Sequence, residues 1–274
     1  MIKAMMQKVK AKNPLIHNIT NYVTVNDCAN VLLACGASPI MADDEREVQE
    51  ITALCGGLTI NMGTLNLRVA KSMYIAGVMS NKIAHPVVLD PVGVGASKWR
   101  IERAQEFLRQ IKFSVIRGNI SEIKSLAKGT QTTTGVDANI ADEVTEENIE
   151  DVVEFAQQFA QKTQAIIVIT GKIDIICGME TVYIVRNGNA MMSKVSGTGC
   201  MLTTMITAYV TANPDNRLLA TTAAVALMGL AGERAFDRLA ANQGNTSYRD
   251  LIMDEIYTMT GETLEAGAKY EMFK

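Results

Sequence analysis

Histidine is nearly absent from this 274-residue chain: His17 and His85 are the only two. A multi-histidine metal site or a Ser-His-Asp triad therefore has little to draw on. Cysteine is also sparse. Cys28, Cys35, Cys55, Cys177 and Cys200 are odd in number and widely spaced, and no C-x-x-C occurs. That pattern supports neither a disulfide framework nor a zinc ribbon, and it fits reduced thiols in a cytosol. There is no G-x-x-x-x-G-K-[ST], hence no P-loop, and no G-x-G-x-x-G follows a strand, which disfavours a dinucleotide site. Basic runs are missing. Lys plus Arg is 26 against 29 Asp plus Glu, a net charge of -3, so no nucleic-acid partner is expected. The longest apolar stretch, Leu218 to Gly232, carries two threonines and falls short of the ~20 residues a membrane span needs. It reads as a buried helix. The N-terminal MIKAMMQKVKAKNP is charged with no apolar centre, unlike a signal peptide. A cytoplasmic protein with no membrane partner is expected.

Apolar residues, in contrast, are plentiful. At 48% hydrophobic and 20% charged, the chain can bury enough surface to offset its ordering entropy, which rules out disorder. Short β-rich runs ending in Gly, Asn or Asp alternate with segments of helical spacing. Strands are predicted at Leu15–Thr20, Ser38–Met41, Leu58–Asn61, Val87–Asp90, Ser114–Arg117, Ala165–Thr170, Ile173–Cys177 and Val182–Val185. Most lack polar alternation, as suits strands covered on both faces. Helices are predicted at Thr24–Cys35, Asp44–Leu54, Leu65–Met79, Lys98–Gln110, Ser121–Leu126, Glu146–Lys162, Met201–Thr211, Leu218–Ala240 and Tyr248–Thr260. This alternation argues an α/β fold, a mostly parallel sheet with helices on both faces. Ile173–Cys177 and Val182–Val185, joined by a short loop, form a hairpin that adds a short antiparallel part. With no Pro/Ser-rich linker and no repeat of fixed period, one domain over residues 1–274 is the simplest organisation.

Four strand-end or loop segments can carry chemistry. In Ser196-Gly197-Thr198-Gly199-Cys200, two glycines let backbone N–H groups converge ahead of a helix whose positive end adds to them, an anion hole fit for phosphate. The same letters also spell a plain glycine loop before a helix. In V-V-L-D-P-V-G-V-G, Asp90 closes a strand, where a carboxylate can hold Mg²⁺ through water or simply cap the next turn. In V-I-R-G-N-I-S-E, Arg117 can neutralise phosphate oxygens, and Asn119 and Glu122 share a face if the helix has begun. A surface arginine and a helix cap would look alike. The fourth is Ile167–Thr170, a buried strand that ends in a hydroxyl and Gly171. Together they suit Mg²⁺ and phosphate better than any one does alone.

That conjunction resembles the ribokinase-like superfamily, in which a G-[TA]-G-[DC] hole holds the transferring phosphate and N-x-x-E helps place magnesium. Within it the chain is similar to the hydroxyethylthiazole kinase family. The stretches that carry the likeness run from Pro14 to Leu202: Pro14–Val23, Asn26–Asn30, Gly36–Asp43, Asn61–Leu65, Leu89–Gly95, Arg117–Asn119, Thr170–Gly171 and Ser196–Leu202. The resemblance implies ATP-dependent phosphorylation of the hydroxyl of 5-(2-hydroxyethyl)-4-methylthiazole for thiamine salvage. It also implies a homotrimer with thiazole sites at subunit boundaries. It carries substrate contacts to Asn21, Val23, Met41, Gly63 and Gly197, ATP contacts to Arg117 and Thr170, and Mg²⁺ to the neighbourhood of Asp90 and Glu122. Gly197, Thr198, Gly199 and Cys200 would form the catalytic turn.

Taken as residues alone, several of these have plainer readings. Met41 offers a soft wall to a thiazole, yet most of 16 methionines must pack in the core. His17 reads as a satisfied turn residue. Cys28 and Cys35, seven apart, fit a packed helical stripe. Cys200 stands where many ribokinase-like sugar kinases carry an aspartate base. A thiol at a helix N-terminus can have its pKa lowered and accept a proton. Phosphoryl transfer is largely positioning and charge stabilisation, so weak assistance by Cys200 suffices. A kinase of another small alcohol, pyrimidine or sugar, and a thiazole-binding protein without catalysis are the alternatives.

Overall fold

The computed structural model describes residues 1–130 and 143–274. In chain order it contains α1 (Ile2–Lys12), β1 (Leu15–Ile19), α2 (Val25–Cys35), β2 (Ser38–Ile40), α3 (Val48–Leu54), β3 (Gly57–Asn61), α4 (Leu67–Lys82), β4 (Val87–Asp90), α5 (Lys98–Gln110), β5 (Val115–Asn119) and α6 (Ile120–Lys128). There follow α7 (Ile149–Thr163), β6 (Ile166–Thr170), β7 (Asp174–Cys177), β8 (Val182–Val185), α8 (Thr198–Ala212), α9 (Arg217–Arg238), α10 (Asn245–Thr258), α11 (Gly261–Gly267) and β9 (Tyr270–Met272). The strands form one sheet in the order β2-β1-β3-β4-β5-β6-β7-β8-β9. Strands β1 to β6 pair in parallel, and β6, β7, β8 and β9 pair antiparallel. The expected class holds: a mostly parallel sheet with a short antiparallel part.

The central strands are mostly apolar because both their faces are covered. Successive side chains leave a strand on opposite sides. Val88, Val115, Val168 and Ile176 join the core under α1, α2, α8, α9 and α10. Leu58, Ile60, Val87, Leu89, Ile116, Ile167 and Ile169 join the core under α3 to α7. Helix α9 is the apolar stretch noted above. Residues 214–238 are long and apolar enough to cross a membrane by composition, but the helix is mostly buried against α8, α10 and α1 as a core element.

Helix α8 is aimed by its threonines. Nearly all of it is buried, so each hydroxyl needs a partner. Thr203 donates to Asp90 at 2.8 Å, Thr204 donates to Asn18 at 3.1 Å, and Thr207 shares a 2.7 Å hydrogen bond with Thr59. These bonds set the rotation and height of α8 on β1, β3 and β4. Its N-terminus is thereby fixed over the strand ends.

Some elements depart from the sequence expectation. The charged N-terminus forms α1, whose Ile2, Met5, Met6 and Val9 make a helical stripe into the core. The C-terminal β9 extends the antiparallel edge. Helix α3 starts at Val48, not Asp44, because residues 44–47 form a turn in which Asp44 Oδ1 accepts from the Arg46 backbone N–H. His17 lies in β1 instead of a turn.

Candidate active site

The predicted site residues gather outside the carboxyl ends of β1, β3, β4, β5 and β6, where ligands bind in open α/β sheets. Register does the assembly. Asn61 stands opposite Asp90 across β3 and β4, and Asn119 opposite Thr170 across β5 and β6. A cleft of about 750 Å³ at the opposite strand ends, lined by residues such as His85, Lys112 and Arg217, includes none of them.

The glycine turn faces this cluster. Gly197 caps α8 with φ +92°, a left-handed conformation that favours glycine, and a Cβ there would lie 2.4 Å from Thr24. Gly199 is glycine for space: a Cβ would lie 2.3 Å from Arg117 Nη1. The Arg117 guanidinium thus lies against the first turn of α8. The first intrahelical bond runs from Met201 N–H to Gly197 C=O at 2.9 Å, and the N–H groups before it are those a helix start leaves for an external acceptor. Arg117 Nη1 is 3.6 Å from Asp90 Oδ2, and its Nη2 donates to Thr170 Oγ1.

On the acceptor side, one asparagine joins the predicted residues. Asn61 Oδ1 accepts from Asn21 Nδ2 at 3.0 Å and from Gly63 N–H at 2.9 Å, while Asn61 Nδ2 donates to Asp90 Oδ2 at 3.0 Å. Asn21 Nδ2 also lies 3.3 Å from Cys200 Sγ, and Asn21 Oδ1 accepts from the Thr24 N–H and hydroxyl. A continuous polar path therefore links Gly63, Asn21 and Cys200 through Asn61 to Asp90, Arg117 and Thr170. Met41 and Val23 stand outside it. Met41 follows the edge strand β2, half-buried, and Val23 is 60% exposed before α2. Sequence reasoning passed over Asn61, Thr24 and Thr203. Their signals were a strand ending in Asn-Met-Gly, a helix-start threonine, and threonines in an otherwise apolar helix.

The two carboxylates differ in surroundings. Asp90 is fully buried. Its Oδ2 accepts from Asn61 and Thr203, whereas its buried Oδ1 has no hydrogen-bond partner among the described residues. Burial raises its pKa; Arg117 and the hydroxyl and amide donors work the other way. Glu122 belongs to a capping box with Asn119 and accepts from the Gly93 N–H at 2.9 Å and the Asn119 N–H at 2.9 Å. Burial, then the neighbouring Asp90 charge, pushes it up to about 7. Among the described residues no three His, Cys, Asp or Glu side chains group as a protein-only metal cage. Two carboxylates with one unpartnered oxygen fit a hard cation that takes its remaining ligands from phosphate and water.

Cys200 corrects one expectation. Its position at the start of α8 does not lower its pKa. Burial, and then the nearby Asp90 and Cys28, push the thiol up to about 11, so it is a neutral S–H at neutral pH. His17 is satisfied on both ring nitrogens, by Thr52 Oγ1 and Ala42 C=O, each at 2.9 Å.

Asp174 was not singled out in the sequence. Its Oδ1 accepts from the Gly171 N–H at 2.9 Å, tying the turn after Thr170. Burial raises it to about 7, against the opposing effects of Gly171 and Arg117. A raised carboxyl pKa gives stability that is whole below the unfolded value near 3.8 and lost as pH rises to about 7. Asp174→Asn is therefore expected to flatten the fall of Tm between pH 4 and pH 7 by roughly 2–5 °C, read by calorimetry. An unchanged Tm–pH slope would contradict it.

Comparison with known proteins places this geometry in a class. A ribokinase-like superfamily protein from Enterococcus faecalis V583 superposes with a TM-score of 0.61 at 13% identity, covering 94% of this chain and 95% of that one. This is a likeness of fold alone: the chain has a ribokinase-like fold. The family is narrower. The model of the hydroxyethylthiazole kinase family matches residues 6–262. The hydroxyethylthiazole kinase of Clostridium acetobutylicum is 56% identical over 273 residues, all of both chains. The structure of hydroxyethylthiazole kinase from Pyrococcus horikoshii OT3 superposes with a TM-score of 0.88 at 32% identity, covering 100% of this chain and 99% of that one. The chain belongs to the hydroxyethylthiazole kinase family, and it is a phosphotransferase.

Proposed function

We propose that the chain transfers the γ-phosphoryl group of ATP to the hydroxyl of 5-(2-hydroxyethyl)-4-methylthiazole. The observation that carries the reading is the Gly197–Cys200 turn beside Arg117 and Asp90. In this reading the amides of the turn and the positive end of α8 hold the migrating group. Arg117 and Thr170 contact ATP, and Asn21, Val23, Met41, Gly63 and Gly197 receive the thiazole alcohol. Asp90 and Glu122 would hold Mg²⁺, which when bound neutralises phosphate charge and orients the chain of phosphates. The substrate oxygen bonds to the γ-phosphorus as the bond to the ADP oxygen breaks and the hydroxyl proton leaves to water, through a loose transition state that puts little demand on a base. We further propose one functional unit over residues 1–274, a homotrimer with sites at subunit boundaries, and a cytoplasmic setting in thiamine salvage.

The test is ADP release with Mg²⁺ and three acceptors: the thiazole alcohol, a pyrimidine alcohol and a sugar. The reading expects preference for the thiazole. Preference for the sugar would defeat it, as would tight thiazole binding with no turnover.

Cys200 supplies a separate prediction. A thiol pushed to about 11 assists by position. Cys200→Ala is expected to lower kcat by no more than about tenfold, with the pH profile unmoved. Complete loss of activity in a folded Cys200→Ala variant would show that the thiol is the base.

A further inference from the structure

Arg100 is absent from every role assigned above, yet it touches both halves of the site. It lies in the first turn of α5, after the Ser97 cap. Among the described residues its guanidinium makes no hydrogen bond to a side chain. Nη1 donates to Met62 C=O and, at 3.0 Å, to Val92 C=O; Nη2 donates to Gly63 C=O at 2.7 Å. Met62 and Gly63 form the loop after β3, next to Asn61 and Asn21. Val92 lies in the loop after β4, between Asp90 and Gly93, and the Gly93 N–H is bonded to Glu122. No carboxylate is ion-paired with Arg100 among the described residues. Burial alone moves its pKa, downward. A half-buried cation that spends its fork on three backbone carbonyls has its geometry fixed by those loops, and fixes them in turn.

We infer that Arg100 is a positioning residue that staples the acceptor-side loop at Met62–Gly63 to the metal-side loop at Val92–Gly93, so that binding of the thiazole alcohol and loading of Mg²⁺ and nucleotide are energetically coupled. The inference rests on the proposed function, since it takes the two loops as the acceptor and metal sides of that site. The physical argument is one of shared freedom. If either ligand settles its own loop, a rigid link between the loops delivers part of that ordering to the other, and the coupling is reciprocal. A lysine retains the charge, but its single ammonium lacks the planar fork that reaches two loops at once.

The experiment is calorimetric titration of the thiazole alcohol into the full chain, alone and with Mg²⁺ and a non-hydrolysable ATP analogue. It uses the natural chain, Arg100→Lys and Arg100→Gln, with circular dichroism as the check on folding. The natural chain is expected to bind the alcohol about tenfold tighter in the presence of Mg²⁺ and the analogue, and both variants less than about twofold tighter. Titrated in the reverse order, Mg²⁺ and the analogue are expected to bind the natural chain about tenfold tighter when the alcohol is present, and the variants less than about twofold tighter, as reciprocity requires. A merely structural role would lower Tm and leave the coupling ratio intact. Full coupling in folded Arg100→Lys overturns the inference, and so does absence of coupling in a natural chain that binds and turns over the alcohol. Should Arg100→Gln fail to fold, these two measurements still decide. A natural chain that neither binds nor phosphorylates the alcohol overturns the functional reading itself, which is a distinguishable result.

Discussion

Asp90→Asn is expected to cut kcat by about 10²–10³-fold while KM for ATP changes less than about threefold. The side chains are nearly isosteric, so the reason is electrostatic. Asp90 Oδ2 accepts from Asn61 Nδ2 and Thr203 Oγ1, and Arg117 lies 3.6 Å away. An asparagine that keeps its carbonyl oxygen toward these donors preserves the fold. The flipped rotamer would set an amide N–H₂ against them and strand buried donors, at about 1–3 kcal/mol each. The first rotamer therefore wins, and it places N–H₂ where Oδ1 now lies. Oδ1 is the buried oxygen with no partner among the described residues, the one suited to a cation. The variant should fold, with a lowered Tm because the mostly buried Arg117 loses its carboxylate partner. It should bind ATP through Arg117 and turn over poorly. Steady-state kinetics with a thermal melt check this. A folded Asp90→Asn enzyme within about fivefold of the natural kcat would remove Asp90 from the chemistry.

Gly199→Ala is expected to separate stability from activity in the opposite sense to most glycine substitutions. Gly199 sits in the first turn of α8 with no left-handed φ, so alanine fits the backbone and should favour the helix by about 0.5–1 kcal/mol. Its methyl group, however, would come within 2.3 Å of Arg117 Nη1 and 2.8 Å of Nη2. The guanidinium is the end of a flexible side chain, so it moves and the fold stays. In moving it leaves the position between Asp90 and Thr170. KM for ATP should rise about tenfold or more and kcat fall about 10²-fold, with Tm unchanged or raised. Natural kinetics in Gly199→Ala would mean that the arginine's position against the turn has no part in catalysis.

The strands and most helices were legible because continuous apolar runs and helical periods alternate, and the parallel sheet follows from that alternation. The hairpin of β7 and β8 was legible from two β-rich runs around a four-residue loop. The N-terminal helix was not legible although Ile2, Met5, Met6 and Val9 carry a helical period, because Lys3, Lys8, Lys10 and Lys12 dilute that short apolar stripe. Strand β9 is three residues long and gains its identity only by pairing with β8, a long-range effect.

The site divides in the same way. Residues with distinctive chemistry at strand ends, such as Asp90, Arg117, Thr170 and the glycine turn, could be picked out locally. Asn61 and Arg100 could not. Asn61 matters through register, which puts it opposite Asp90. Arg100 matters through backbone carbonyls that have no side-chain signature in sequence. The thiol of Cys200 shows the limit of a rule applied without burial: a helix start favours thiolate, but desolvation beside Asp90 outweighs it.

One measurement bears most directly on the account: a crystal structure of the full chain with Mg²⁺, a non-hydrolysable ATP analogue and the thiazole alcohol. The account predicts terminal phosphoryl oxygens within about 3 Å of backbone nitrogens between Gly197 and Cys200, with Arg117 alongside and the acceptor hydroxyl near Cys200. A terminal phosphoryl group seated elsewhere, with those nitrogens bonded to solvent, would contradict it.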